Sequence, residues 1–209
     1  MRKTFHSEYN GQLELRSIQG KKVLDTAHTN FGYGSLDALW QEVFQRFKIP
    51  TFNQSLVLGI GAGNVIWRIR DQQDQGKIYG VDIDPVIIRI ASKEFGLSEC
   101  PHVQTMQADA NRFVRSTRRK FDLIVIDLFC DHLMPEFLQE EDFWRITFQR
   151  LTPSGCVLWN TNHTAEQIKR IQHMGRTMGM RVEVLKSKNQ WNTVYRFRTK
   201  TDEKNRTLI

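Results

Sequence analysis

The stretch Ser55–Asn64, SLVLGIGAGN, decides the fold of this chain. A short apolar run ends in glycines at alternate positions, Gly59, Gly61 and Gly63, and a helical pattern, NVIWRIRDQQ, begins directly behind them. A run that is apolar on both faces marks a strand buried inside a parallel sheet. Glycines let the backbone turn sharply at the strand end and approach a ligand where a Cβ would clash. The free N–H groups at the start of the helix face the same spot.

Downstream the same alternation repeats. KIYGVDI, VQTMQA, FDLIVIDL and CVLWNT read as further buried strands, separated by the helical segments PVIIRIASKEFG, ANRFVRSTRR, EEDFWRITFQRL and TAEQIKRIQHMGRTMG. Pro85 suits a first helical turn, Asp109 an N-cap, and Gly96 and Gly155 punctuate. Five strand–helix units in a row predict right-handed crossovers and a Rossmann-like, doubly wound α/β sheet. MRVEVLKSKNQWNTVYRFRTK reads instead as a hairpin turning near Lys188 and Asn189, which closes the sheet edge with antiparallel strands. Upstream, KTFHSEY, LELRSIQG and KKVLD predict a small β-hairpin region, followed by a helix over 35–48. The expected organisation is a cap over 1–50 packed on the core, an α/β domain over 51–198 and a polar tail over 199–209.

Composition narrows the class. The chain has 209 residues, 40% hydrophobic and 25% charged, the balance of an ordinary globular protein. No apolar run approaches the ~20 residues that span a bilayer, and MRKTFHSEYN holds no apolar signal core, so a cytoplasmic protein without a membrane partner is expected. Cys100, Cys130 and Cys156 share no CxxC spacing, which predicts neither a disulfide framework nor a zinc site. The formal net charge of +7 can attract nucleic acid. However, the basic residues are dispersed, and the one short cluster, Arg115, Arg118, Arg119 and Lys120, reads as a solvated helix end. No specific nucleic-acid partner is therefore expected.

Four acids fall at corresponding strand ends. Asp82 lies about 20 residues past the glycines, the spacing at which a carboxylate meets ribose hydroxyls in such folds. Asp84 is better placed to cap the helix at Pro85, which leaves Asp82 for the ribose. Asp109 reads as an N-cap that can also reach an adenine amino group, and Asp127 leaves the fourth strand at the carboxyl edge. The glycines form G-x-G-x-G, and Asn64 stands where a dinucleotide fold would carry its last glycine.

With these residues in place, the stretch from Leu56 to about Asn162 resembles class I S-adenosylmethionine-dependent enzymes, and among them the spermidine synthase family. GIGAGN is similar to that family's glycine loop, VDIDPVI to its acid-Ile-Asp and helix, and ADANRF to its Asp-Gly turn. IDLFCDHLMPEFLQEEDFWRITFQRLTPSGCVLWN resembles its Asp-bearing loop, helix and final strand, and GKKVLDTAHTNFGYGSL the small β-region before its core. The resemblance implies a cofactor, S-adenosylmethionine or its decarboxylated form with no metal, at Gly59, Gly61, Gly63, Asp82, Ile83, Asp109, Ala110 and Asp127. It also implies catalytic acids at Asp127 and Asp131, with an amine as the favoured small-molecule acceptor, and it allows a homodimer.

The chain departs from that family at Ala62, where the family carries an Asp that holds the aminopropyl amine. The family's diamine-binding Asp-Glu and Tyr stretch has no clear counterpart in FGYGSLDALWQEVF, and Asp131 is displaced by one residue. An Asp at position 62 would repel the carboxylate of ordinary S-adenosylmethionine, so alanine eases acceptance of that form. Both aminopropyl and methyl transfer are attack on a carbon bound to a sulfonium. An amine acceptor with pKa near ~10 must lose a proton first. Asp127 is the expected base, Asp131 and Glu136 are secondary acids, and Tyr33 is a candidate wall. HTNFGYGSL reads either as a flap or as a packed turn. Two other classes stay open: a nucleic-acid methyltransferase, against which stands the lack of an Asn/Asp-Pro-Pro-aromatic stretch, and a non-catalytic adenosyl-ligand-binding protein.

Overall fold

The computed structural model describes residues 2–26, 35–49, 51–73, 75–130, 133–162, 164–187 and 192–199. Three strands open the chain, β1 (Arg2–Ser7), β2 (Gly11–Ile18) and β3 (Lys21–Asp25), followed by α1 (Ser35–Phe47). The alternating core then runs β4 (Gln54–Leu58), α2 (Asn64–Gln72), β5 (Lys77–Asp82), α3 (Pro85–Glu94), β6 (Val103–Gln107), α4 (Ala110–Ser116) and β7 (Phe121–Ile126). It continues through α5 (Glu141–Gln149), β8 (Leu151–Thr161), α6 (Ala165–Thr177), β9 (Met180–Lys186) and β10 (Thr193–Thr199).

The large sheet has the order β6-β5-β4-β7-β8-β10-β9. Every neighbouring pair from β6 to β8 is parallel, and β10 runs antiparallel to both β8 and β9. The terminal hairpin therefore sits at the sheet edge, with β10 on the inside and β9 outermost. Alternate strand residues feed two apolar layers. Val57, Leu123, Val125 and Leu158 pack with Trp40 and Val43 of α1 and with Ile66 and Ile69 of α2. Leu56, Leu58, Ile124, Ile126 and Trp159 pack with Val114 of α4, Phe143 and Trp144 of α5, and Ile171 of α6. Alternation within strands that are buried on both sides is what helices on each face require.

The expected small N-terminal β-hairpin is present, its three strands forming an antiparallel meander, β1-β2-β3. Leu13, Leu15 and Leu24 on one of its faces pack against Ile87 and Ile90 of α3. Other boundaries move too. α4 ends at Ser116 instead of continuing through the arginines, because the chain turns extended at Thr117. β8 begins at Leu151, ahead of the expected Cys156, and residues 152–155 bulge out against β7.

The basic cluster is engaged at the protein surface. Arg115 pairs with Asp142 at 2.5 Å, Arg119 lies over the Tyr79 ring, and Lys120 donates to the Gln149 carbonyl. Cys100 and Cys156 are buried, whereas Cys130 is exposed. No helix among the described residues is long and apolar enough to cross a membrane.

Candidate functional site

The strand order brings the candidate residues to one edge. Chain order reverses between β4 and β7, the switch point at which open α/β sheets bind ligands beyond the carboxyl ends of their strands. Along that edge stand Asp109 after β6, Asp82 ending β5, the glycine turn after β4, Asp127 after β7 and Asn160 in β8. Neighbouring strands lie about 4.8 Å apart, so Asp82 and Asp127, one strand to each side of β4, end within roughly 10 Å.

The turn is held open by its glycines. Gly59, Gly61 and Gly63 all have positive φ, at 88°, 54° and 88°. At Gly59 a Cβ would run into the backbone carbonyl of Asp127, so this residue is needed for the close approach of two strand ends as well as for the turn. Gly63 is the left-handed N-cap of α2 and offers no side chain to the helix N–H groups. Those groups, with the positive end of the helix dipole, face the crevice. Ala62 is buried in the turn, 1% exposed.

Asp82 stitches the turn to its own strand end. Its Oδ2 accepts the Ile60 N–H at 2.8 Å and its Oδ1 the Asp84 N–H at 3.0 Å. The carboxylate is thus already in use, not free as its sequence position suggests. The Gly61 N–H is a third donor, and the four lone-pair sites of the carboxylate still leave one for a hydroxyl. Burial pushes the Asp82 carboxyl above its ordinary range, while the N–H groups of Asp84 and Ile60 pull it back. Ile83, 38% exposed, stands beside it at the rim.

Asp84 is fully buried and caps α3, accepting from the Val86 N–H at 2.8 Å. Its other oxygen accepts Ser7 Oγ–H at 2.5 Å and Asn10 Nδ2–H at 2.7 Å, which fastens the β1–β2 turn over the strand ends. From the same turn the Tyr9 carbonyl accepts the Cys130 thiol at 3.0 Å. Asp109 is the N-cap of α4 and accepts the Arg112 N–H at 2.8 Å, and Ala110 is the first residue of that helix.

Asp127 is clasped by neutral donors. Trp40 Nε1–H donates to Oδ2 at 3.0 Å and Asn160 Nδ2–H to Oδ1 at 2.8 Å. Burial pushes its carboxyl up, and the two hydrogen bonds counter only part of that. Glu136 is exposed in a short 3-10 helix. Asp131, Tyr33 and the HTNFGYGSL segment except Ser35 and Leu36 lie outside the described residues. Sequence reasoning missed Trp40, Asn160 and the pair Ser7–Asn10. The one signal for Asn160 was an amide inside an otherwise apolar strand, CVLWNT.

Residues 56–155 match the family model described as a methyltransferase domain. The chain is 28% identical over 120 residues to the polyamine aminopropyltransferase of Vibrio vulnificus, covering 56% of this chain and 40% of that protein. It therefore spans less than half the length of that relative. A probable spermidine synthase from Corynebacterium glutamicum superposes with TM-score 0.80 at 16% identity, covering 95% of this chain and 80% of the other. Human methyltransferase-like protein 13, solved in complex with SAH, superposes with TM-score 0.64 at 19% identity, covering 81% and 82%. The chain has the fold of the methyltransferase domains, and a polyamine aminopropyltransferase and a spermidine synthase are among the proteins it is similar to.

Proposed function

We propose that this chain is an S-adenosylmethionine-dependent transferase that moves a methyl or aminopropyl group to a small acceptor, with an amine favoured. The observation that carries the reading is the tie between Asp82 and the glycine turn. It puts a carboxylate, three positive-φ glycines and a helix N-terminus around one end of β4. These parts fit an adenosyl ligand: a remaining lone pair on Asp82 for a ribose hydroxyl, an apolar rim residue in Ile83 and backbone N–H groups over the turn. Asp109 and Ala110 complete the proposed wall.

The bound cofactor would supply a carbon made electrophilic by its sulfonium. The residues of this chain align the acceptor and take its proton. Asp127 is the acid proposed for that proton. Each of its oxygens has one donor and retains a lone pair, and a carboxyl raised by burial is a stronger base than an exposed one. Ala62 leaves no anion at the position where the resembling family has one, which favours ordinary S-adenosylmethionine over the decarboxylated form.

The test is a panel of diamines, monoamines and small hydroxyl compounds, incubated with each cofactor form and read by mass spectrometry. Methylated or aminopropylated amine, lost in Asp127→Asn, is the expected result. Absence of transfer from either cofactor to every acceptor, with intact cofactor binding, would contradict the proposal and favour a binding protein.

A further inference from the structure

The hydrogen bonds around Asp127 form a chain with a defined direction. Asn192 Nδ2–H donates to Asn160 Oδ1 at 3.1 Å, and Asn160 Nδ2–H donates to Asp127 Oδ1 at 2.8 Å. Trp40 donates to the other carboxylate oxygen at 3.0 Å. An ionised carboxylate only accepts and an indole N–H only donates, so both ends have fixed polarity. Asn160 is 1% exposed, and Asn192 occupies its oxygen, which leaves its NH2 for Asp127. Asn192 is itself pinned: its carbonyl accepts the Ser187 N–H at 2.9 Å, and its own N–H donates to Ser187 Oγ at 3.3 Å. The chain of bonds thus runs from the connection between β9 and β10 to the end of β7.

Among the described residues no charged side chain holds Asp127. α1 presents Trp40, and its Asp37 is paired with Arg68 at 2.6 Å. The turn from Gly59 to Asn64 has no titratable side chain, β8 presents Asn160, and β10 begins at Thr193 beside Asn192. Asp82 belongs to β5, beyond β4. Asp131 and His132, next in the loop after β7, lie outside the described residues.

We propose that Trp40 directly, and Asn192 acting through Asn160, are positioning residues that fix the two oxygens of Asp127 and set the pH at which it gives up its proton. Only the consequence for turnover rests on the transferase reading. The hydrogen-bond chain stands without it.

A carboxylate at position 192 makes the clearest perturbation. It would only accept, so Asn160 would turn its NH2 toward it and its oxygen toward Asp127. Two oxygens facing each other in a buried place are tolerated only while Asp127 keeps its proton.

The experiment follows the Trp40 indole N–H in 1H–15N spectra across the pH range, the peak being identified by its loss in Trp40→Phe. In the unaltered protein it should shift through one inflection, and that inflection should vanish in Asp127→Asn. Asn192→Asp should raise the inflection by about one pH unit or more, a tenfold change in proton affinity. Asn192→Ala should raise it by less. Unmoved indole peaks from Trp144 and Trp159 report an intact core, and if Asn192→Asp fails to fold, Asn192→Ala carries the test. An inflection missing from the unaltered protein, or unchanged in the folded variants, would overturn the proposal. S-adenosylmethionine titrated into the same samples separates the two readings: absent binding sinks the transferase and leaves the positioning result standing.

Discussion

Asp82 accepts the backbone N–H of Ile60 at 2.8 Å, and this bond, with that from the Gly59 N–H to the Val81 carbonyl at 2.9 Å, fastens the end of β5 to the glycine turn that follows β4. Removing the carboxylate should therefore act twice. Asp82→Ala should weaken S-adenosylmethionine binding by roughly 10- to 100-fold, the worth of a charged hydrogen bond. It should also lower Tm, since the N–H groups of Ile60 and Asp84 lose their acceptor. Calorimetry and thermal melts on one preparation check both, and unchanged affinity for S-adenosylmethionine and its decarboxylated form would remove the ribose assignment.

Gly59 is predicted to tolerate no side chain. Its φ of 88° disfavours any Cβ, and the Asp127 carbonyl occupies the space one would need. Gly59→Ala should cost at least about 1–3 kcal/mol, the range for a strained backbone position, and displace the Asp127 strand end. A melting curve superposable on that of the unaltered protein would show that the two strand ends are not in such close contact.

Asp84 should prove structural. Its carboxylate caps α3 and accepts from Ser7 and Asn10 while fully buried. Asp84→Ala should cost roughly 2–4 kcal/mol through the lost cap and the stranded donors. Ser7→Ala should cost less, because the α3 cap and the Asn10 bond to Asp84 stay in place, although the Tyr9 and Asn10 N–H groups also lose their acceptor. Equal melting temperatures for Asp84→Ala and the unaltered protein would rule out this anchoring of the first sheet.

The raised carboxyl of Asp127 has a signed consequence for stability. A native group that holds its proton longer than the unfolded chain stabilises fully below the ordinary carboxylate range. That contribution is lost as pH rises through the raised native value. Asp127→Asn loses one acceptor, so it should melt lower than the unaltered protein at acid pH. The deficit should shrink as pH rises above about 4, and thermal melts in a pH series measure it. A deficit that grows with pH would mean the native carboxyl is lowered instead.

Much of this was legible in the sequence, for identifiable reasons. The strand–helix alternation, the glycine turn and the strand-end acids are local signals, each confined to a few neighbouring residues, and the elements they predict are present. Asp84 as the helix cap also followed from its place before Pro85. What was not legible depends on partners far apart along the chain. Trp40 reaches Asp127 across 87 residues, and Asn192 reaches Asn160 across 32. No periodicity links such pairs. The engaged state of Asp82 escaped for a related reason: its donors are backbone N–H groups, which every residue but proline carries. The inner place of β10 was hidden because a hairpin pattern does not say which of its strands pairs with the sheet.

Cofactor binding at the glycine turn is tested by calorimetric titration of S-adenosylmethionine into the unaltered protein and into Gly61→Val. Gly61 has φ 54° in the turn between Gly59 and Gly63, where a valine side chain would stand in the space proposed for the ligand. The expected result is saturable binding of one cofactor per chain, abolished in a Gly61→Val protein that still melts cooperatively. Failure of the unaltered protein to bind either S-adenosylmethionine or its decarboxylated form, or equal affinity in folded Gly61→Val, would contradict it.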